Sequence, residues 1–151
     1  MNQPRNYIGS CFCSSVEFTV SGDPQIMAYC HCESCQHWFG GQVYAVTLWP
    51  ADSFKITKGA DNIGVFNKAA YTEDKAGFSD RMWCKTCGGR ICTGHPSIDL
   101  MDVPAVLVKG LDFKPAFHIH YQDTVHPMKD GLPKFKDTPS AAGGSGEELP
   151  E

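Results

Sequence analysis

The sequence has no apolar run approaching the roughly 20 residues needed to cross a bilayer, so no helical membrane span is expected. It also has no cluster of lysine and arginine: 13 basic residues against 17 acidic ones leave a formal charge of −4. A protein built to neutralise nucleic-acid phosphates needs the opposite balance, and no nucleic-acid partner is expected. No stretch longer than about three turns carries a 3.6-residue apolar stripe, which argues against long amphipathic helices. Met1-Asn2-Gln3-Pro4-Arg5-Asn6 has no apolar stretch after its single arginine, so a secretory leader is not expected and a cytoplasmic location is. Repeats of solenoid length are missing as well.

What remains is a chain of 151 residues, 42% hydrophobic and 20% charged, the composition of one folded domain with a real core. Ser15–Ser21 alternates apolar and polar residues and then meets Gly22-Asp23-Pro24, which predicts a half-buried strand ending in a turn. Gln42–Trp49 is nearly continuous in β-prone residues and stops at Pro50, which predicts a central strand. Further strands are expected at Ile26–Tyr29, Phe54–Thr57, Ile63–Phe66, Phe78–Trp83, Pro104–Lys109 and Phe117–Tyr121, with short helical turns after Cys35 and around Ala51-Asp52-Ser53. The fold class is mainly β. From Asp137 onward the chain turns to small and polar residues, and a flexible tail over 137–151 is expected after a folded domain over 1–136.

Eight cysteines dominate the functional reading. In a cytosolic chain of this size clustered cysteines bind metal or do chemistry more often than they form disulfides. Seven fall in three groups: Cys11 and Cys13; Cys30, Cys32 and Cys35; Cys84 and Cys87 before Gly88-Gly89. A Cys-x-x-Cys-Gly turn is a zinc knuckle, whose glycine lets backbone N–H groups approach the thiolates. Residues i and i+2 of an extended chain share a face, so Cys11 and Cys13 can chelate together. One such pair with one knuckle makes a closed four-cysteine structural site. The middle group supplies three thiolates within six residues, the arrangement of a catalytic zinc with one exchangeable position. A second closed site, completed by Cys92 or a histidine, is the alternative. Spacing leaves open which groups share an ion.

Other residues have bland readings beside sharp ones. His31, between two cysteines, is expected to point away from the metal rather than ligate it. His118 and His120 share a face of one strand, by default a solvent-facing one; a third metal site or a proton-transfer pair is the sharp alternative. Cys92 reads as a small buried hydrophobe, Trp49 and Trp83 as core, His37 with Trp38 and Phe39 as pocket lining, surface or core packing, and Gly40-Gly41 as a turn.

The set Gly9-Ser10-Cys11-Phe12-Cys13-Ser14-Ser15-Val16, Cys30-His31-Cys32-Glu33-Ser34-Cys35 and Trp83-Cys84-Lys85-Thr86-Cys87-Gly88-Gly89, with the ending Asp130-Gly131-Leu132-Pro133-Lys134-Phe135, closely resembles the glutathione-dependent formaldehyde-activating enzyme family, which includes the centromere protein V group. The resemblance covers residues 7–136. It implies a β-tent fold of antiparallel sheets pinned by zinc knuckles, and two Zn2+ ions per chain. By the same resemblance Cys11, Cys13, Cys84 and Cys87 match the structural zinc ligands, and Cys30, Cys32 and Cys35 match the catalytic, labile one. The implied activity is condensation of formaldehyde with glutathione, formally that of a carbon–sulfur lyase. Its partners are a small thiol such as glutathione and a small aldehyde. The chain departs from the usual pattern at Cys92 and in the histidines of Phe117–Asp123. The rival reading is a non-catalytic binding module with two structural zinc sites.

Overall fold

A computed structural model describes residues 3–73 and 79–151. The protein is mainly β. Its strands are β1 (Asn6–Ser10), β2 (Glu17–Ser21), β3 (Ile26–Cys30), β4 (Tyr44–Pro50) and β5 (Phe54–Lys58). They continue with β6 (Ile63–Asn67), β7 (Asp80–Cys84), β8 (Arg90–His95), β9 (Leu100–Pro104) and β10 (Phe117–Ile119). One seven-residue helix, α1 (Glu33–Phe39), is accompanied by short 3-10 turns. The chain forms two compact units: Met1–Gln25 with Thr47–Asp112, and Ile26–Val46 with Phe113–Glu151.

In the first unit β1 and β2 make an antiparallel hairpin, with Tyr7 opposite Val20 and Ser10 opposite Glu17, and β5 pairs with the other edge of β2. The alternation expected for β2 is present: Phe18 and Val20 are buried while Glu17, Thr19 and Ser21 are half-buried. Burying a side chain such as Phe18 contributes about 1.5–3 kcal/mol. Its ring stacks on Phe54 at 5.1 Å. A Cβ on Gly9 would strike both the Phe18 ring and the Leu107 carbonyl, so only glycine lets β1 lie this close. The strands β6, β7, β8 and β9 follow as an antiparallel meander. The core gathers Val16, Phe18, Val20, Trp49, Ile91, Cys92, Val103 and Val108. Trp49, expected in the core, is fully buried, and its Nε1 donates to Thr47 Oγ1 at 2.7 Å, which in turn donates to the Val103 carbonyl at 2.7 Å. Trp83 is half-buried against Gly64.

The structure corrects the expectation of a strand over Pro104–Lys109. The strand β9 ends at Pro104, and Ala105–Leu107 is a 3-10 turn that leaves Val106 87% exposed. An apolar run reads the same in a buried strand and in a turn that presents part of itself to solvent. Within Phe78–Trp83, β7 begins at Asp80, and Phe78 lies outside the described residues.

In the second unit β3 and β10 run parallel, pairing Ala28 with Phe117, Tyr29 with His118 and Cys30 with Ile119. The helix α1 starts at Glu33, before the expected turn after Cys35. It is capped by Cys32, and it ends on Gly40, whose left-handed φ of 68° lets its N–H reach the Gln36 carbonyl. Phe39 stacks on Tyr44 at 4.0 Å. Residues 137–151, expected from composition to be flexible, follow a hydrogen-bonded path. Asp137 Oδ1 accepts from Thr138 N, Ser145 N and Ser145 Oγ, while Lys136 N donates to the Glu147 carbonyl and Leu149 N to that of Lys134. Backbone and Asx-type bonds hold this path, with Pro139 and Leu149 half-buried along it.

Candidate metal centres

The first unit brings Cys11, Cys13, Cys84 and Cys87 together, with all four sulfurs within 4.8 Å of one another. Cys11 and Cys13 are not on an extended chain, contrary to the expectation. They sit in the β1–β2 connection, where Ser14 adopts a φ of 61° and its N–H donates to the Cys11 carbonyl at 3.1 Å. The knuckle is as the sequence reads: Gly88 takes a φ of 72° and donates to the Cys84 carbonyl at 2.8 Å. Val16 N lies 3.3 Å from Cys11 Sγ and Gly89 N 3.4 Å from Cys87 Sγ, so backbone donors already address the thiolates. Asn62 adds its Nδ2 at 3.6 Å from Cys84 Sγ while also holding Thr86 Oγ1 at 2.8 Å.

Four thiolates about 2.3 Å from a tetrahedral zinc stand about 3.8 Å apart, from the geometry of a regular tetrahedron. Cys11 and Cys13 Sγ are 3.7 Å apart and Cys13 and Cys84 Sγ 3.8 Å, so the donor set fits such an ion. Burial, against the pull of the Val16 N–H, pushes Cys11 up to about 11, while side-chain and backbone hydrogen bonding with Ser15 draws Cys13 down to about 6.

The second unit brings Cys30, Cys32 and Cys35 together within 4.8 Å, and among the described residues the group closes at these three. Local structure does this: Cys30 ends β3, Cys32 caps α1, and Cys35 lies three residues on in the first helical turn, its N–H 3.2 Å from Cys32 Sγ. The sulfurs of Cys32 and Cys35, together with burial, push Cys30 far up, while Cys30 and Cys35 hold Cys32 well down. Three crowded thiols that cannot all ionise alone are a donor set suited to a cation.

The eight cysteines are all free thiols. Cys92 joins neither group: it is buried with Sγ 3.5 Å from Met82 Sδ, and burial, with Asp102 nearby, raises it to about 12. The exposed pair His37–Glu33, 4.0 Å apart, belongs to the helix surface.

His31 turns away from the sulfur group, as expected, but into a buried polar chain that no spacing announced. Its Nδ1 is 2.9 Å from Thr124 Oγ1, and its Nε2 is 2.8 Å from His118 Nδ1. His118 Nε2 is 2.8 Å from Asp130 Oδ2, and Lys134 Nζ is 2.6 Å from Asp130 Oδ1 and 2.8 Å from Glu151 Oε1. The solvent-facing strand expected for His118 and His120 is therefore wrong. His118 is 0% exposed, and His120, with a φ of 52°, has already left the strand. Burial, with His118 beside it, lowers His31 to about 4. Burial alone would raise Asp130, but the bonds from Lys134 and His118 outweigh it and hold the carboxyl well below the usual range. Asp130 and Lys134 are four residues apart, a spacing the sequence displays, but their meeting with His118 depends on the fold.

A crystal structure of a Rhodobacter sphaeroides protein, solved as a structural-genomics target, is similar in fold, with a TM-score of 0.51 at 20% identity over 70% of this chain and 90% of that one. No match was found among curated proteins. The family model for the glutathione-dependent formaldehyde-activating enzyme matches residues 6–123, which include both cysteine groups, and the chain belongs to that family.

Proposed function

We propose that the protein is a zinc-dependent enzyme of carbon–sulfur lyase type that makes or breaks the adduct of formaldehyde, or a related small aldehyde, with glutathione or another small thiol. In this reading Cys30, Cys32 and Cys35 hold the catalytic zinc, and Cys11, Cys13, Cys84 and Cys87 hold a structural one. The observation that supports it is the unequal size of the two groups, four sulfurs from two distant segments against three from one local segment. Family membership supports the pair of substrates.

A zinc ion held by Cys30, Cys32 and Cys35 would supply a position for an outside ligand and would lower the pKa of a thiol there. The chain itself holds the three donors in place: the Cys35 N–H supports the Cys32 sulfur, and β3 fixes Cys30 in a buried position. The substrate thiolate then adds to the aldehyde carbon. One carbon–sulfur bond forms, the carbonyl π pair moves to oxygen, and that oxygen takes up one proton; the reverse step returns them. Ionisation and positioning are all that this addition needs. We place the reaction in the cytoplasm, where eight free thiols stay reduced.

The test measures exchange between isotope-labelled formaldehyde and its glutathione adduct by nuclear magnetic resonance. Zinc-loaded protein should accelerate exchange above the spontaneous rate, and Cys35→Ser should not. No acceleration by protein carrying two zinc ions per chain overturns the proposal and leaves the non-catalytic zinc-stabilised module.

A further inference from the structure

Residue 31 stands between two members of the three-cysteine group, and every polar atom it owns is committed. Its N–H donates to the Ile119 carbonyl at 3.0 Å and its carbonyl accepts from Gln36 Nε2 at 2.6 Å. Its two ring nitrogens meet Thr124 and His118. Gln36 Nε2 also reaches the Asp123 carbonyl at 3.0 Å, so the segment 118–124 grips the cysteine loop at four points.

The donor directions are mutually consistent. The Lys134 ammonium occupies Asp130 Oδ1, and Asp130 Oδ2 accepts from His118 Nε2–H. With Nε2–H given to Asp130, His118 Nδ1 can accept His31 Nε2–H, and His31 Nδ1 can in turn accept the Thr124 hydroxyl proton. Each hydrogen bond fixes the tautomer of the next ring, and with it the ring plane. Two imidazoles at 0% exposure are costly to bury unless all their nitrogens are paired, and here they are.

We propose that His31 is a positioning residue for the metal donors Cys30 and Cys32, fixed by Thr124 on one side and by the His118–Asp130–Lys134 chain on the other. This rests on the reading of Cys30, Cys32 and Cys35 as a metal site. A residue immobilised at N, O and both ring nitrogens cannot rotate its flanking peptides. The two neighbouring sulfurs are therefore pre-set before the ion arrives, and the ordering cost of binding falls. Losing such outer partners costs metal sites about tenfold to a hundredfold in affinity.

The experiment is a cobalt(II) titration of the full-length protein, read by its visible ligand-field and sulfur-to-cobalt charge-transfer bands, with Cys35→Ser supplying the spectrum of the four-cysteine group alone. Thr124→Val and His118→Asn should each weaken cobalt binding at the three-cysteine group by about tenfold or more and shift its bands. Thr124→Ser, which keeps the hydroxyl, should restore the wild-type affinity and spectrum. If His118→Asn does not fold, the Thr124 pair decides alone. Wild-type affinity and bands in Thr124→Val overturn the inference and leave the proposed function standing, even where its melting temperature falls. A wild-type protein that takes up only one cobalt ion overturns the proposed function itself, and the inference with it.

Discussion

Serine at Cys87 and serine at Cys35 should injure the protein unequally. An ion in the first group ties Cys13 to Cys84, 71 residues apart. Treated as a cross-link of that span, it removes loop entropy from the unfolded chain worth about 4 kcal/mol. An ion in the second group ties only Cys30 to Cys35, and the same relation gives about 2 kcal/mol. In a chain of this length each kcal/mol moves the melting temperature by about 2–4 °C. Cys87→Ser should therefore melt about 8–16 °C below wild type, and Cys35→Ser about half as far below. The Cys87 variant also leaves Cys11 and Cys84 buried without their ion, so low solubility is expected of it. Zinc per chain by elemental analysis, with thermal melts at equal protein and zinc concentration, measures both effects. Cys35→Ser should keep one zinc ion and a folded core. Equal collapse of the two variants would refute the division into one structural and one functional group.

Cys92, raised to about 12, should stay unmodified when native protein meets iodoacetamide. At pH 8 its thiolate fraction is about one in ten thousand, and mass spectrometry of the digest checks this. Thr47→Val should destabilise the fold by about 2 kcal/mol in urea, because Trp49 Nε1 and the Val103 carbonyl lose their shared partner; adding Trp49→Phe should recover part of that loss, which a double-mutant cycle reads. Asp130 has a native pKa below its unfolded value, so its stabilisation is fully present above about pH 4 and is lost as pH falls toward the native value. Asp130→Asn should lower stability at neutral pH and flatten its slope in that acid window. A variant as stable as wild type at neutral pH would argue against the Lys134–Asp130–His118 chain.

Where periodicity carries the information, the strands were legible in the sequence. Glu17–Ser21 alternates because one face meets the core, and Ile63–Asn67 is punctuated by the turns around it. Asn6–Ser10 lacks that signal since Ile8 is exposed and Gly9 is there for close approach. Arg90–His95 was hidden by burial of four successive residues and by Gly94 near its end. The cysteine spacings displayed seven donors, because a knuckle and a short Cys-rich turn are local objects. Which groups meet is a tertiary fact, as is the pairing of Cys11 and Cys13 with Cys84 and Cys87. The chain from Thr124 to Lys134 was invisible for the same reason: His31 meets a histidine 87 residues away. Alternation with Phe117 and Ile119 assigns His118 to the polar face of its strand and gives no sign that this face is buried too.

The interleaving of the two units sets an order of events on the ribosome. Everything the first unit needs has been made by residue 112, whereas the second still lacks Phe113 onward. Cys30, Cys32 and Cys35 emerge early, and His118 follows His31 by 87 residues. At about 5–20 residues per second, that gap is about 4–17 s of synthesis. Through that interval the nascent chain carries three adjacent thiols with no partner for the imidazole between them. For those seconds the three free thiols stand open to oxidation, and slower translation through residues 32–118 lengthens that exposure.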